Sequence, residues 1–300
     1  MTSETETHRN GAAERNALIG IVVAVALGAL LGAAGGSGGA SVGGVSVFWI
    51  VTIVAFAINV LAFIPAFKAQ TEHYYDLTGS FTYITVTILA VVLTSDDLDA
   101  RAIIAAILVL IWAGRLGTFL FRRVKKAGGD GRFDRIKPSR LRFLMAWVVQ
   151  GLWVTITAAA AIAAITSGHK ATFGVVGIIG LVTWILGFTI EVAADAQKSA
   201  FKADAANDGK FIDVGLWAWS RHPNYFGEIT LWTGMAILVL PALHGWQYLT
   251  LISPVFVTVL LTRVSGLPML EKRADTKWGG QPDYEAYKSS TPILIPRPPR

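Results

Sequence analysis

The chain has 300 residues, of which 53% are hydrophobic and only 15% are charged. A soluble domain carries closer to about 25% charged residues, so this composition excludes an ordinary soluble protein and favours a membrane protein. The net charge of +6 comes from basic residues scattered over separate loops, which gives no support to nucleic-acid binding. The absence of cysteine excludes disulfides and thiol catalysis, and the five histidines lack metal-site spacing, so no metal site is predicted.

Residues 1–16 are polar and are predicted to form a disordered cytoplasmic N-terminus. Apolar segments follow, and a helix of roughly 20 such residues suffices to cross a bilayer. The third segment is short and the last two are joined tightly around Pro241 and Gly245, so the fold predicted is an all-α polytopic membrane protein with seven or eight transmembrane helices. The eight candidate spans are 17–33, 46–66, 80–94, 100–121, 142–166, 172–193, 226–243 and 246–264.

Lysine and arginine accumulate in alternate loops. The loops 122–141 and 194–225 and the tail after residue 264 are rich in them, whereas the loops between have only Lys170. Cytoplasmic loops are enriched in these residues, so eight spans place both termini in the cytoplasm. The glycine- and serine-rich run 35–44 is then predicted to be a flexible loop on the opposite side.

A group of polar residues borders the sixth and seventh spans. It comprises residues 191–195 and 215–228 and is called the polar cassette below. Glu191 and Asp195 are four residues apart and therefore share one face of the sixth helix. One interpretation is a solvated helix end, in which Lys198 pairs with Asp195. The other is a binding site, because polar residues that are retained near hydrocarbon usually face a cavity.

The residues of segment 215–228 favour the second interpretation, a binding site. Pro223 suits the first position of the seventh helix, and free N–H groups at a helix start are a natural seat for phosphate. Arg221 adds a bidentate donor for phosphate. Glu228, one turn inside the span, requires a partner such as Arg221, Arg263 or a ligand amide. Further side chains suited to a charged, ring-bearing cofactor are Trp219, His222, Asn224 and Tyr225.

These residues carry a resemblance. The matching pieces are Glu191-x-x-x-Asp195, Gly215-Leu216-Trp217, the unbroken run from Ser220 to Glu228, Arg263, and the tail with Glu271, Arg273, Tyr284, Tyr287 and Pro292. The region 191–300, about a third of the chain, resembles the C-terminal domain of the steroid 5α-reductase superfamily, especially its bacterial membrane branch. The resemblance implies a cofactor-binding domain at 191–300 and membrane helices at 17–190 that shape a substrate pocket.

The resemblance implies that this cytoplasm-facing region binds NADPH, with Asn224 and Glu228 holding the nicotinamide. Cations near the adenosine ribose favour NADPH over NADH, since they can bind the 2′-phosphate. The cofactor-binding residues expected are Glu191, Asp195, Lys198, Lys202, Lys210, Trp219, Arg221, His222, Asn224, Tyr225, Glu228, Arg263 and Arg273.

The activity implied is NADPH-dependent reduction of a C=C bond conjugated to a carbonyl in a lipophilic substrate: sterol-like, isoprenoid-like or fatty-acyl-like. Negative charge develops on the carbonyl oxygen, so the enzyme must polarise it. Tyr75 and Asp76 are the candidates for this catalytic role, although tyrosines also commonly form an interfacial belt.

The main alternative is a methyltransferase that uses S-adenosylmethionine. Isoprenylcysteine carboxyl and phospholipid N-methyltransferases share the Arg221-His222-Pro223-x-Tyr225 skeleton and the later Glu271 and Tyr284. A small transporter or channel is the non-enzymatic alternative. The partners expected are the lipid bilayer and a lipophilic small molecule, with no nucleic acid and no obligate protein partner. The location expected is a bacterial inner membrane, with the active site facing the cytoplasm.

Overall fold

The structure is a computed structural model. It describes residues 2–127 and 130–299, and the side chains of 11–122 and 130–299. Contacts divide the chain into two compact units: Met1–Phe173 with Val239–Ile252, and Gly174–Leu238 with Ser253–Arg300.

The first unit is built around one central helix. Its elements are α1 (Thr2–Gly35), β1 (Ser41–Val42), β2 (Val45–Ser46), α2 (Val47–Lys68), α3 (Tyr75–Leu93), α4 (Ala100–Ala127) and α5 (Arg140–Ile165). The apolar window of α5 is 89% buried, and its run Ala158–Ala164 is buried throughout. Small side chains let neighbouring backbones approach closely, which is how helices pack where lipid replaces water.

The second unit carries the polar cassette. Its helices are α6 (Val175–Ala203), α7 (Pro223–Val239), α8 (Ile252–Val259), α9 (Leu267–Trp278) and α10 (Pro282–Ser290). A 3-10 turn at Gly215–Ala218 precedes α7, and a π-helical turn at Leu260–Val264 separates α8 from α9.

Eight helical segments in the described residues are long and apolar enough to cross a membrane. This confirms the predicted all-α polytopic fold and favours eight spans over seven. The orientation of the spans stays a prediction. The segments are Gly11–Gly35, Val47–Lys68, Tyr75–Leu93, Ala100–Arg122, Arg140–Ile165, Val175–Ala203, Pro223–Ala242 and Gly245–Trp278.

Two segments near the N-terminus are more ordered than their composition suggested. Helix α1 begins at Thr2 and so includes residues that were predicted to be disordered. Good helix formers precede the apolar span, and a helix that has already nucleated extends at little cost. The predicted flexible loop 35–44 contains strand β1 and the turn of the hairpin β1–β2, in which Gly43 and Gly44 have φ angles of 58° and 81°. Such positive angles suit a tight hairpin turn, and glycine adopts them without strain.

Helices α6 and α7 pack as an antiparallel pair through glycines. Gly180 and Gly187 of α6 meet the backbone of α7, and Gly227 and Gly234 of α7 meet the backbone of α6. A Cβ on Gly227 would lie 2.6 Å from the Glu191 nitrogen. The glycines of each helix are seven residues apart, so they share one face. This close packing sets the start of α7 beside the end of α6, where the cassette lies.

Candidate functional site

The two carboxylates of α6 are buried against α7. Glu191 is 3% exposed and Asp195 is 7% exposed. The Asp195 Oδ1 atom accepts a hydrogen bond of 3.2 Å from the Asn224 amide. Burial of both carboxylates argues against the solvated helix end that the sequence left open. Asp195 and Asn224, predicted to belong to one site, are in direct contact.

The start of α7 is held by a polar turn. The helix begins at Pro223, as predicted. Ser220 is buried, and its hydroxyl donates to the Leu294 carbonyl at 2.8 Å and accepts from the His222 amide at 3.2 Å. Arg221 and His222 are therefore presented immediately before the helix.

Glu271 of α9 joins Arg221 and His222. Its Oε2 atom lies 2.5 Å from Arg221 Nη1, and its Oε1 atom lies 2.7 Å from His222 Nε2. A carboxylate that accepts from a guanidinium and a ring nitrogen makes charge-assisted hydrogen bonds, which are stronger than neutral ones. Arg221 was one of the partners that the sequence suggested for Glu228, and in the structure it binds Glu271, 50 residues away.

The protonation state of His222 follows from its surroundings. Burial lowers its pKa below the ordinary value of 6.5, and this outweighs the opposing effect of the hydrogen bond to Glu271. His222 is therefore neutral at pH 7. Because a carboxylate only accepts, the Nε2 atom carries the proton, and we assign Nδ1 as a bare acceptor.

Within residues 220–228, three buried polar atoms make no hydrogen bond to the described part of the chain: Arg221 Nε, His222 Nδ1 and Asn224 Oδ1. The first is a donor and the other two are acceptors. Buried polar groups in folded proteins are nearly always paired, so an unpaired set calls for an explanation such as a ligand or water. The pattern fits a polar molecule that offers at least two donors and one acceptor.

An aromatic ring lies against the histidine. The rings of Tyr225 and His222 are stacked, with centroids 5.7 Å apart and planes 20° apart. Gly266, which follows the π-helical turn, leaves room for Tyr225, because a Cβ there would lie 2.8 Å from the tyrosine Cε2. The turn between α8 and α9 thus positions Tyr225 as well as Glu271.

Most of the predicted cationic residues are exposed at the surface of the second unit. Lys198 lies over the Trp217 ring at 4.2 Å, in a cation–π contact, while the Trp217 indole donates to the Ala194 carbonyl at 3.0 Å. Glu228 is half-buried. The predicted residues with exposed side chains are Lys202, Lys210, Trp219, Arg263 and Arg273.

An aromatic cluster packs beside the polar cassette. The sequence did not predict this cluster. Phe211 packs against Trp278, Tyr284 and Tyr287 with centroids 5.3–6.0 Å apart. The Tyr287 hydroxyl donates to the Trp217 carbonyl at 2.7 Å. Burial, together with a hydrogen bond to Asp275, raises the pKa of Tyr284 to about 12, so that hydroxyl stays protonated. The cluster ties α9 and α10 to the loop before α7.

The predicted catalytic pair, Tyr75 and Asp76, lies in the first unit, at the start of α3. The Tyr75 hydroxyl donates to the Ala146 carbonyl at 2.9 Å, and its ring packs against Phe133 and Trp147. Its proton is therefore directed to the backbone in this conformation. Asp76 is half-buried.

Glu72 lies just before Tyr75 and Asp76, and it binds two residues of the loop that leads to α5. It is buried, and it binds Lys137 at 2.6 Å and accepts from the Asp130 amide at 2.8 Å. Burial opposes the ionised form, yet these hydrogen bonds together hold the pKa of Glu72 below its ordinary value. Glu72 therefore has a structural role in the first unit.

The fold and the buried cassette define a polytopic helical membrane protein with a polar site in its second unit. The chain belongs to a family described as "Protein of unknown function (DUF1295)", whose model matches residues 62–291. It is also 24% identical over 227 residues to an uncharacterised protein of Schizosaccharomyces pombe. That match covers 66% of this chain, and the chain spans 64% of the relative's length. No solved structure matches the chain.

Proposed function

We propose that this protein is an integral membrane reductase that uses NADPH to reduce a C=C bond conjugated to a carbonyl in a lipophilic substrate. The observation that carries the proposal is the Asn224 amide. Its nitrogen donates to Asp195, which leaves the buried Oδ1 as an acceptor without a hydrogen bond in the described residues. The superfamily that the sequence resembles holds nicotinamide with an Asn and a Glu at this spacing.

The donor set of the cassette fits the cofactor. The carboxamide of nicotinamide presents N–H donors, which suit Asn224 Oδ1, and ribose hydroxyls suit His222 Nδ1. The Arg221 Nε–H faces no acceptor among the described residues and suits a phosphate oxygen. Glu228, one turn after Asn224, lies on the same face of α7 and would complete the amide site.

NADPH, when bound, supplies a hydride to an electron-poor carbon. The chain contributes binding and orientation: Asn224 and Glu228 fix the amide, and Arg221 and His222 fix the neighbouring polar groups. Lys202, Lys210 and Arg273 are cationic and exposed, and a 2′-phosphate would suit such side chains, which supports NADPH over NADH.

The membrane setting supports a lipophilic substrate, because eight described helical segments are long and apolar enough to cross a bilayer, from which such a substrate could enter. We further propose a bacterial inner membrane as the location and a site that faces the cytoplasm. Tyr75 and Asp76 stay the candidates for carbonyl polarisation. For that role, the Tyr75 hydroxyl would have to give up its hydrogen bond to the Ala146 carbonyl and donate to the substrate carbonyl instead.

Thermal unfolding of the purified protein in lipid nanodiscs, with NADPH, NADH and S-adenosylmethionine in parallel, tests the proposal. A ligand at 100 times its Kd stabilises the folded state by about 2.7 kcal/mol, and we expect this for NADPH. The variant Asn224→Leu should lose the shift. Asn207→Leu is the matched control, because that half-buried amide lies outside residues 220–228 and donates to the Phe201 carbonyl at 3.2 Å. An equal NADPH shift in both variants would contradict the assignment of Asn224.

A methyltransferase is the second candidate, and the Arg221–His222–Glu271 triangle is the observation that favours it. The methyltransferase families that share this skeleton bind S-adenosylmethionine with the histidine and arginine. S-adenosylmethionine also offers the ribose and ammonium donors that His222 Nδ1 and Asn224 Oδ1 require. A thermal shift with S-adenosylmethionine and none with NADPH would select this function and reject the reductase.

A further inference from the structure

The tail after α10 is held along the turn that leads into α7. The Arg221 amide donates to the Pro292 carbonyl at 2.9 Å, and the Arg297 amide donates to the Trp219 carbonyl at 2.9 Å. The Ser220 hydroxyl bonds to the Leu294 carbonyl between them. The tail therefore runs antiparallel to Trp219–Arg221.

The side chains of this tail alternate between half-buried and exposed from Pro292 to Arg297. Pro292, Leu294 and Pro296 are half-buried, whereas the residues between them are exposed. Ile293 is 40% exposed and Ile295 is 65% exposed. The tail thus leaves two isoleucines exposed, whereas a segment that borders water usually carries polar side chains on its exposed side.

The position of the tail indicates what covers the isoleucines. It is bound to Trp219, and the span Pro223–Ala242 begins four residues later. Trp219 is itself 43% exposed. Tryptophan at the end of a span typically lies at the headgroup level of the bilayer, so a segment bonded to its backbone lies at the same level.

The positive charges of the tail favour contact with a lipid surface. Arg297 is exposed, as the two isoleucines are, and a further arginine, Arg300, follows it in the sequence. Basic residues next to a span are attracted to anionic headgroups, while neighbouring aliphatic side chains enter the acyl boundary.

We propose that Trp219, Ile293 and Ile295 form an interfacial anchor that lies on the bilayer beside the start of α7, with Arg297 on the headgroups. The anchor holds the tail whose carbonyls fix Ser220 and Arg221, so the lipid surface supports the turn that presents the polar cassette. It assigns lipid rather than cofactor as the contact of Trp219. The inference stands on the tail geometry and is independent of the proposed reductase activity.

The absence of native cysteine makes a depth measurement direct. Ile293→Cys and Ile295→Cys are labelled with a nitroxide in nanodiscs of phosphatidylcholine and phosphatidylglycerol. The accessibility of each label to oxygen, which concentrates in lipid, is compared with its accessibility to a water-soluble nickel chelate. The control for water is Thr276→Cys on the exposed face of α9, and the control for lipid is Leu186→Cys, a 57% exposed position in the α6 span.

We expect the oxygen-to-nickel ratio at both tail positions to exceed that of Thr276→Cys severalfold and to approach that of Leu186→Cys. A ratio equal to that of Thr276→Cys would show that the tail faces water and would overturn the anchor. Labels that neither reagent reaches would also overturn it, because a protein surface or a second copy would then cover the isoleucines.

Discussion

At the residue scale, one carboxylate organises the cassette. Glu271 satisfies a guanidinium nitrogen and a ring nitrogen at once, and it thereby sets which nitrogen of His222 carries the proton. The assignment of His222 Nδ1 as a hydrogen-bond acceptor depends on this contact with Glu271. Glu271 is therefore a positioning residue that acts through His222.

Glu271→Gln is expected to invert the hydrogen-bond polarity of His222. The introduced amide oxygen can still accept from Arg221, but its N–H₂ group must donate to Nε2, which moves the ring proton to Nδ1. We expect the Kd for NADPH to rise about tenfold, since one hydrogen bond is worth about 1–1.5 kcal/mol. Titration of NADPH against the variant and against the exposed-site control Asp208→Asn measures this. Equal affinity in the two variants would exclude Nδ1 from ligand binding.

The lowered pKa of His222 predicts a loss of stability in mild acid. The unfolded chain binds this proton near pH 6.5, whereas the folded protein binds it only at lower pH. The folded state is therefore favoured above pH 6.5, and this contribution is lost as the pH falls through the folded pKa. The free energy of unfolding, measured between pH 7.5 and about 5, should fall as the pH falls. The variant His222→Gln should show a smaller dependence on pH. An identical dependence in the variant would contradict the lowered pKa.

At the element scale, the glycines of α6 and α7 position the cassette. Backbones pack here with no side chain between them, so Glu191 and Asp195 come within reach of the α7 start. Local sequence pattern does not indicate which helices meet through these glycines.

Gly227→Ala is expected to destabilise the second unit by about 1–3 kcal/mol, the usual cost of overpacking. The new Cβ would lie 2.6 Å from both the Glu191 nitrogen and the Gly187 oxygen, and backbone atoms cannot move aside cheaply. Gly114→Ala in α4 is the matched control, because no atom lies within 4 Å of its Cβ position. That variant should be neutral or more stable by up to about 1 kcal/mol, through helix propensity. Similar losses in both variants would contradict close packing at Gly227.

At the scale of the whole molecule, the predicted binding residues fall into one unit and the predicted catalytic pair into the other. Thirteen cofactor candidates lie between Glu191 and Arg273, all in the second unit, whereas Tyr75 and Asp76 lie in the first. The proposed cofactor binding and the proposed substrate polarisation are therefore separable by experiment.

Hydrogen exchange with and without NADPH tests this division. We expect slower exchange at the end of α6, the start of α7 and α9, because a bound cofactor stabilises the segments that hold it. The β1–β2 hairpin serves as the internal reference, since the sequence predicts that it faces the opposite side of the membrane. Slower exchange at the hairpin with none at α7 would contradict a site in the second unit.

The membrane fold and much of the cassette were accessible from the chain alone. Eight apolar segments, the start of α7 at Pro223 and the shared face of Glu191 and Asp195 are local properties, governed by hydrophobicity and by 3.6-residue periodicity. Such properties depend on residues within one or two helical turns, so they can be recognised without knowledge of the packing.

The contact of Glu271 with Arg221 and His222, the aromatic cluster around Phe211 and the tail along Trp219 emerge from long-range packing. Each joins residues about 49 to 78 positions apart. Their geometry depends on the π-helical turn, the glycine contacts of α6 with α7 and the direction in which α9 leaves α8. Local sequence pattern does not encode these, because closing a long loop is favourable only once all the packed partners are present.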